Sequence, residues 1–183
     1  MTETNAISKR RIVFVMNPIS GTQGKRTILR YIHQLMDRER CDYQLVRTKY
    51  AGHATEIAKQ AVDEGVDMVV AIGGDGTINE IAKALVHSKT ALGIIPCGSG
   101  NGLARHLRIP MEPKAAVELI NSGKRLCIDY GKINGLPFFC TCGVGFDAFV
   151  SLKFADSGKR GLLTYLENTL HESLTYKPET YEI

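Results

Sequence analysis

With 183 residues, 44% hydrophobic and 23% charged, the chain has the composition of a folded protein of one domain, or one and a part, with length enough for a sizeable core. The net charge of +4 suits an anionic ligand or an anionic membrane surface and is too weak to imply nucleic acid. No apolar run reaches about 18 residues and the first eleven residues are polar, so neither a spanning helix nor a secretory signal is expected.

Residues 11–17 (RIVFVMN) read as a first strand, and residues 24–36 as a helix with Ile28, Leu29, Ile32, Leu35 and Met36 on one side. Residues 43–48 read as a second strand, and 53–64 as a helix placing Ile57, Ala58, Ala61 and Val62 inward before Gly65. The Val- and Ile-rich run from Met68 to Ile72 reads as a buried parallel strand, and Ile78, Ile81, Ala82, Leu85 and Val86 recur at helical spacing after it. Residues 91–96 (ALGIIP) form a fourth strand, and Pro113 opens a helix that runs to Gly123. This alternation predicts an α/β fold: a parallel sheet with helices on both faces, whose ligand edge is the carboxyl end of the strands.

After Gly123 the pattern changes. Residues 126–133 and 136–142 flank Asn134 and Gly135, a strong hairpin signal, so an antiparallel β domain is expected to begin there. The predicted organisation is a nucleotide-type α/β domain over 1–124 and the truncated start of a second β domain over 125–183. Within the second part, 158–161 read as a loop, 162–171 as a short helix and 176–183 as another strand beginning. The open edge of the hairpin invites pairing with a second copy, hence a homodimer.

Three predicted strands end in small or polar turns, which gathers three loops at one rim: residues 17–21, 73–77 and 96–102. In the second of these, Gly73, Gly74, Asp75, Gly76 and Thr77 join a strand to a helix, and such a turn points backbone N–H groups at a phosphate. Asp75 would repel that phosphate unless it acts through Mg²⁺ or hydrogen-bonds a sugar or donor hydroxyl. The spacing is neither that of a P-loop nor that of the dinucleotide fingerprint. In the third loop, Gly98, Gly100 and Gly102 would admit close backbone approach, Ser99 and Asn101 would supply hydrogen bonds, and Arg105 could pair with phosphate. The competing reading is a flexible loop with a helix cap at Ser99 or Asn101. Gly143, Gly145 and Asp147 suggest a bulge or tight corner, with Asp147 a cap or a catalytic residue. The five cysteines (Cys41, Cys97, Cys127, Cys140 and Cys142) are odd in number and scattered, which favours free thiols in the cytosol, and no resident metal site is expected.

Taken together, residues 17–21, Thr48 with Gly52, His53 and Ala54, residues 73–80, residues 96–101 with Ala104 and Arg105, and residues 143–148 resemble the diacylglycerol kinase catalytic-domain family, which includes bacterial lipid kinases and sphingosine kinases. The Gly-Gly-Asp-Gly-Thr turn alone is shared with NAD kinases. The resemblance implies a nucleotide domain, a C-terminal β-sandwich, and transfer of the γ-phosphate of ATP, with Mg²⁺, to a lipid hydroxyl such as that of diacylglycerol or a sphingoid base. It implies a cytoplasmic enzyme of phospholipid metabolism, peripheral at the inner membrane face. The implied ATP contacts are Asn17, Pro18, Ile19, Ser20, Gly21, Thr48, Gly74, Asp75, Gly76, Thr77, Ile78, Asn79, Glu80 and Ser99, with Asp75 also the catalytic candidate. The family's general base and structural Mg²⁺ ligands are expected beyond Ile183, so the isolated chain is expected to bind nucleotide without turning over lipid. The rival readings are an NAD kinase-like enzyme and a nucleotide-binding fragment without catalysis.

Overall fold

A run of β-branched residues with no polar break can be satisfied only where both sheet faces are covered, and Met68–Gly73 is buried at every position. The computed structural model describes residues 8–20 and 24–156, together with 177 and 180. Along these the order is β1 (Arg10–Met16), α1 (Lys25–Leu35), β2 (Cys41–Arg47), α2 (His53–Asp63), β3 (Met68–Gly73) and α3 (Asp75–Leu85), then β4 (Ala91–Pro96), α4 (Gly102–His106), α5 (Pro113–Ser122), β5 (Gly131–Ile133), β6 (Leu136–Phe138) and α6 (Phe146–Asp156). The described residues divide into two compact units at the Cys140–Thr141 bond.

In the first unit, four strands pair in parallel in the order β2-β1-β3-β4. Side chains alternate between the faces. Ile12, Phe14, Met16, Val70 and Ile72 pack with Ile28 and Ile32 of α1 and Val117 and Ile120 of α5. Val13, Val15, Val69, Ala71 and Ile94 pack with Ala54 and Ala58 of α2 and Ile78 and Ile81 of α3. Helices therefore cover both faces, as the sequence pattern predicts. Each fully buried branched side chain contributes about 1.5–3 kcal/mol.

Local signals end the elements where they were expected to. Pro113 occupies the first turn of α5, the Glu112 carboxylate accepts from the amides of Lys114 and Ala115 at 3.0 and 2.7 Å, and Gly123 closes the helix at φ 70°. Asn134 and Gly135 both take positive φ, 49° and 78°, which is the tight-turn geometry of the β5–β6 hairpin.

The hairpin is shorter than predicted. Residues 124–130 are not strand, and no strand pairs with them among the described residues; an apolar alternation without a hydrogen-bonding neighbour cannot hold a ladder, and Leu126 stays 79% exposed. In the second unit the sequence reading of a bulge or corner gives way to a helix. Gly145, at φ 84°, is the turn before α6, the amide of Phe149 donates to its carbonyl at 3.0 Å, and Asp147 lies in the first helical turn. Among the rest, Gly21, the loop over 158–161, the helix over 162–171 and the strand over 176–183 lie outside the described residues, Lys177 and Thr180 excepted.

Candidate functional site

Because β2 and β3 lie on opposite sides of β1, the connections leaving β1 and β3 diverge, and the crevice between these strands at their carboxyl ends is the topological switch point of the sheet. The sheet ladder extends to the roots of its loops. The amide of Asn17 donates to Ile72 O at 3.2 Å, that of Thr48 to Met16 O at 2.9 Å, and that of Cys97 to Gly73 O at 2.9 Å. Four loops thus leave the rim from fixed origins.

Across the crevice, Asn17 Nδ2 donates to Thr77 Oγ1 at 3.2 Å. Asn17 also shapes its own loop: its Oδ1 accepts from the amide of Ile19 at 3.1 Å, and its carbonyl accepts from the Ser20 hydroxyl at 3.0 Å. Ser20 is consequently buried and its hydroxyl engaged, whereas Ile19 is 71% exposed. The Lys25 ammonium donates to the carbonyl of Pro18. In the β2–α2 loop Thr48 is buried, and Gly52 caps α2 at φ 88°. His53 Nδ1 accepts from the amide of Lys49 at 3.1 Å, which leaves the ring proton on Nε2. His53 also stacks on Tyr50, with centroids 4.6 Å apart. The Tyr50 hydroxyl donates to Glu56, and that charged acceptor raises its pKa.

At β3 the strand ends on Gly73, where a Cβ would stand 2.6 Å from Thr77 Oγ1. Gly74 is the N-cap of α3 in extended backbone and brings no capping side chain. The first amides of a helix have no partner within it, so those of Asp75, Gly76 and Thr77 are left for an anion at the crevice. Ile78 turns its side chain into the core, and its amide donates to Gly74 O at 3.1 Å.

The β4–α4 loop packs directly against this turn. A Cβ on Gly98 would stand 2.7 Å from Gly74 Cα, and one on Gly100 would stand 2.7 Å from Asp75 Oδ2. Asp75 itself reaches across: Oδ2 accepts from the amide of Asn101 at 2.8 Å and Oδ1 from that of Gly102 at 2.7 Å. Arg105, expected to meet phosphate, donates through Nε to Gly100 O at 2.9 Å. Cys97 fills the base of the loop, and burial pushes its thiol up to about 11, so it is no nucleophile near neutral pH.

The sequence model of the diacylglycerol kinase catalytic domain matches residues 11–133. The chain belongs to this family. It is 37% identical over 140 residues to a diacylglycerol kinase of Bacillus subtilis, an alignment covering 74% of this chain and 46% of the relative. It is 30% identical over 132 residues to one from Staphylococcus carnosus, covering 71% and 43%. A solved diacylglycerol kinase structure from Bacillus anthracis superposes with a TM-score of 0.63 at 27% identity, covering 70% of this chain and 48% of that one. The chain therefore spans about half the length of the relatives it matches.

Within the family domain the rim joins Asn17 to Thr77, and Gly74 and Asp75 to Gly98, Asn101 and Gly102, through the contacts above, with Ser99 exposed on the same loop. Two points about the glycines emerge from the structure. The backbone of Gly76 needs no glycine: its φ is not left-handed, and an added Cβ meets nothing within 4 Å. Gly98 and Gly100 are glycines because the two loops touch each other, not only to admit a ligand. The role of Asn101 as a brace was missed; an Asn at the start of a helix reads as a side-chain cap, and here its amide bonds Gly98 instead. Gly76→Ala is accordingly expected to hold or raise stability, by about 0.5–1 kcal/mol at most, since it replaces glycine inside a first helical turn. Chemical denaturation would show it, and a loss above that range would mean the turn is tighter than its geometry here.

Proposed function

We propose that the protein containing this chain is an ATP-dependent lipid kinase that passes the γ-phosphate to a lipid hydroxyl such as that of diacylglycerol or a sphingoid base. The observation that carries the reading is the uncapped start of α3 at the switch point: three N–H groups at the positive end of an eleven-residue helix, with Gly74 offering them no side-chain partner. Phosphoryl transfer is mostly positioning and charge neutralisation, and this is the equipment it uses.

In this reading the nucleotide lies over the crevice, touched by Asn17, Pro18, Ile19, Ser20, Gly21, Thr48, the turn from Gly74 to Glu80, and Ser99. Ser20 and Ile78 would shape the site without a side-chain bond to the ligand, because the Ser20 hydroxyl is engaged and the Ile78 side chain lies in the core. Mg²⁺ would arrive with ATP and neutralise phosphate charge. Among the described residues no three His, Cys, Asp or Glu side chains gather to hold a metal, so the phosphates would supply most ligands. Asp75 is the acid in the turn itself, and each of its oxygens keeps a lone pair beyond the N–H bond it accepts.

The nucleotide domain is placed at 1–124. The β5–β6 hairpin is then the first piece of a second domain's sheet, although β6 packs on α3. In this reading the general base lies outside the three loops, in the second domain, as the family resemblance implies. The acceptor would be met at a membrane surface by a peripheral protein; no helix among the described residues is long and apolar enough to cross a membrane. Self-association, where it occurs, would use the hairpin edge, where Leu136 is 62% exposed.

The test is radiolabelled ATP with the whole gene product, offered diacylglycerol, sphingoid bases and NAD in parallel. Label in a lipid is the expected result. Label in NAD would replace this reading with an NAD kinase, and nucleotide binding without transfer to any acceptor would reduce it to a binding module.

A further inference from the structure

The β4–α4 loop is folded on itself. Asn101 holds left-handed backbone, φ 54° and ψ 43°, which residues other than glycine seldom adopt, and it is only 5% exposed. Its side-chain amide closes a ring with one residue: Oδ1 accepts from Gly98 N at 2.9 Å while Nδ2 donates to Gly98 O at 2.7 Å. The amides of Asn101 and Gly102 then grip the two oxygens of Asp75, and Arg105 takes the carbonyl of Gly100. What remains is Ser99, exposed and without a hydrogen bond among the described residues.

We infer that Asn101 is a positioning residue for the nucleotide, acting with Asp75: the amide ring and the two-pronged carboxylate fix the loop so that the Ser99 hydroxyl is presented at the crevice in advance of the ligand. The inference rests on the nucleotide reading above. Neither Asp75 nor Asn101 belongs to the buried apolar clusters on the two faces of the sheet. Their effect is to remove the ordering cost that a loop of three glycines would otherwise pay when ligand binds.

A brace that only stabilises the fold would move thermal stability and affinity together; a positioning residue acts through Ser99. Asn101→Gly isolates the difference, because glycine adopts the left-handed conformation without strain and keeps the amide that Asp75 accepts, while the ring with Gly98 is lost. The expected result for this chain is a melting temperature close to wild type and a Kd for Mg-ATP raised about 10- to 100-fold. Ser99→Ala should raise Kd as well, and the double variant should be little worse than Ser99→Ala alone, since the ring acts through that hydroxyl. Unchanged affinity in Asn101→Gly would overturn the inference, as would full additivity of the two substitutions.

Amide hydrogen exchange separates this outcome from failure of the nucleotide reading. Should wild type bind no Mg-ATP, that reading falls by itself. The brace is then judged on the amides of Gly98, Asn101 and Gly102: slow exchange in wild type and fast exchange in Asn101→Gly support it, and fast exchange in both overturns it.

Discussion

Phe14→Ala is expected to cost about 3–5 kcal/mol, a large share of the roughly 5–15 kcal/mol that holds a domain together. Phe14 is 0% exposed at the centre of β1, which like β3 has a strand on each side. It is in register with Leu45 of β2 and Val70 of β3, and its ring meets Tyr43 edge-on at 5.6 Å. The void would lie between the sheet and the α1–α5 layer, where Ile28, Ile32 and Val117 are all but fully buried and have little room to collapse inward. The functional consequence is indirect. Asn17 leaves the rim from the same strand, so loosening β1 shifts one wall of the crevice against Thr77 on the other. Urea denaturation gives the number; a loss below about 1 kcal/mol would mean that β1 is not the spine of this core.

The parts that were legible in the sequence are those with a period. Met68 to Ile72 could be read as a buried strand because five apolar residues run without a polar break, and the stripe of Ile28 and Ile32 could be read as a helix face. Asn134 with Gly135, and Pro113 with Gly123, were legible because turn and cap chemistry is local. By contrast α6 was not, since Phe146, Ala148, Phe149 and Val150 crowd apolar residues around the helix and leave no stripe to detect. Residues 124–130 misled in the opposite way: alternation gave a strand reading, but a strand is a pairing, and pairing partners are not written locally.

At the candidate site the sequence identified the loops but not their mutual contacts. Gly74, Asp75, Ser99 and Asn101 could each be singled out by composition. That Asp75 spends both oxygens on backbone amides 26 and 27 residues away is a tertiary fact with no local signature. Glycine was ambiguous for the same reason. The sequence marks where a side chain is excluded and is silent on whether a ligand, another loop or nothing excludes it; Gly98 and Gly76 are the two ends of that range.

Gly98→Ala is the substitution expected to do most harm to the site for the least change in composition. The added methyl would stand 2.7 Å from Gly74 Cα and 2.9 Å from Asn101 Oδ1. The first of these is backbone at the N-cap of α3 and cannot swing away as a side-chain tip would. The second is the oxygen that accepts from the amide of Gly98, so displacing it opens the ring as well. Three features therefore move together: the helix start that offers the N–H groups, the brace at Asn101, and the grip of Asp75 on the loop. Overpacking of this kind costs about 1–3 kcal/mol of stability. The sheet core under α1 and α5 is not involved, so the domain is expected to stay folded. Misplacement of the loop by about 1 Å is expected to weaken Mg-ATP binding about 100-fold. Gly76→Ala, at an open position in the first turn of α3, is the control for folding alone, because only a small change in stability is expected of it. Calorimetric titration of both variants, with far-ultraviolet circular dichroism to confirm folding, provides the comparison. Equal affinity in Gly98→Ala and wild type would show that the two glycine loops do not act as one phosphate site.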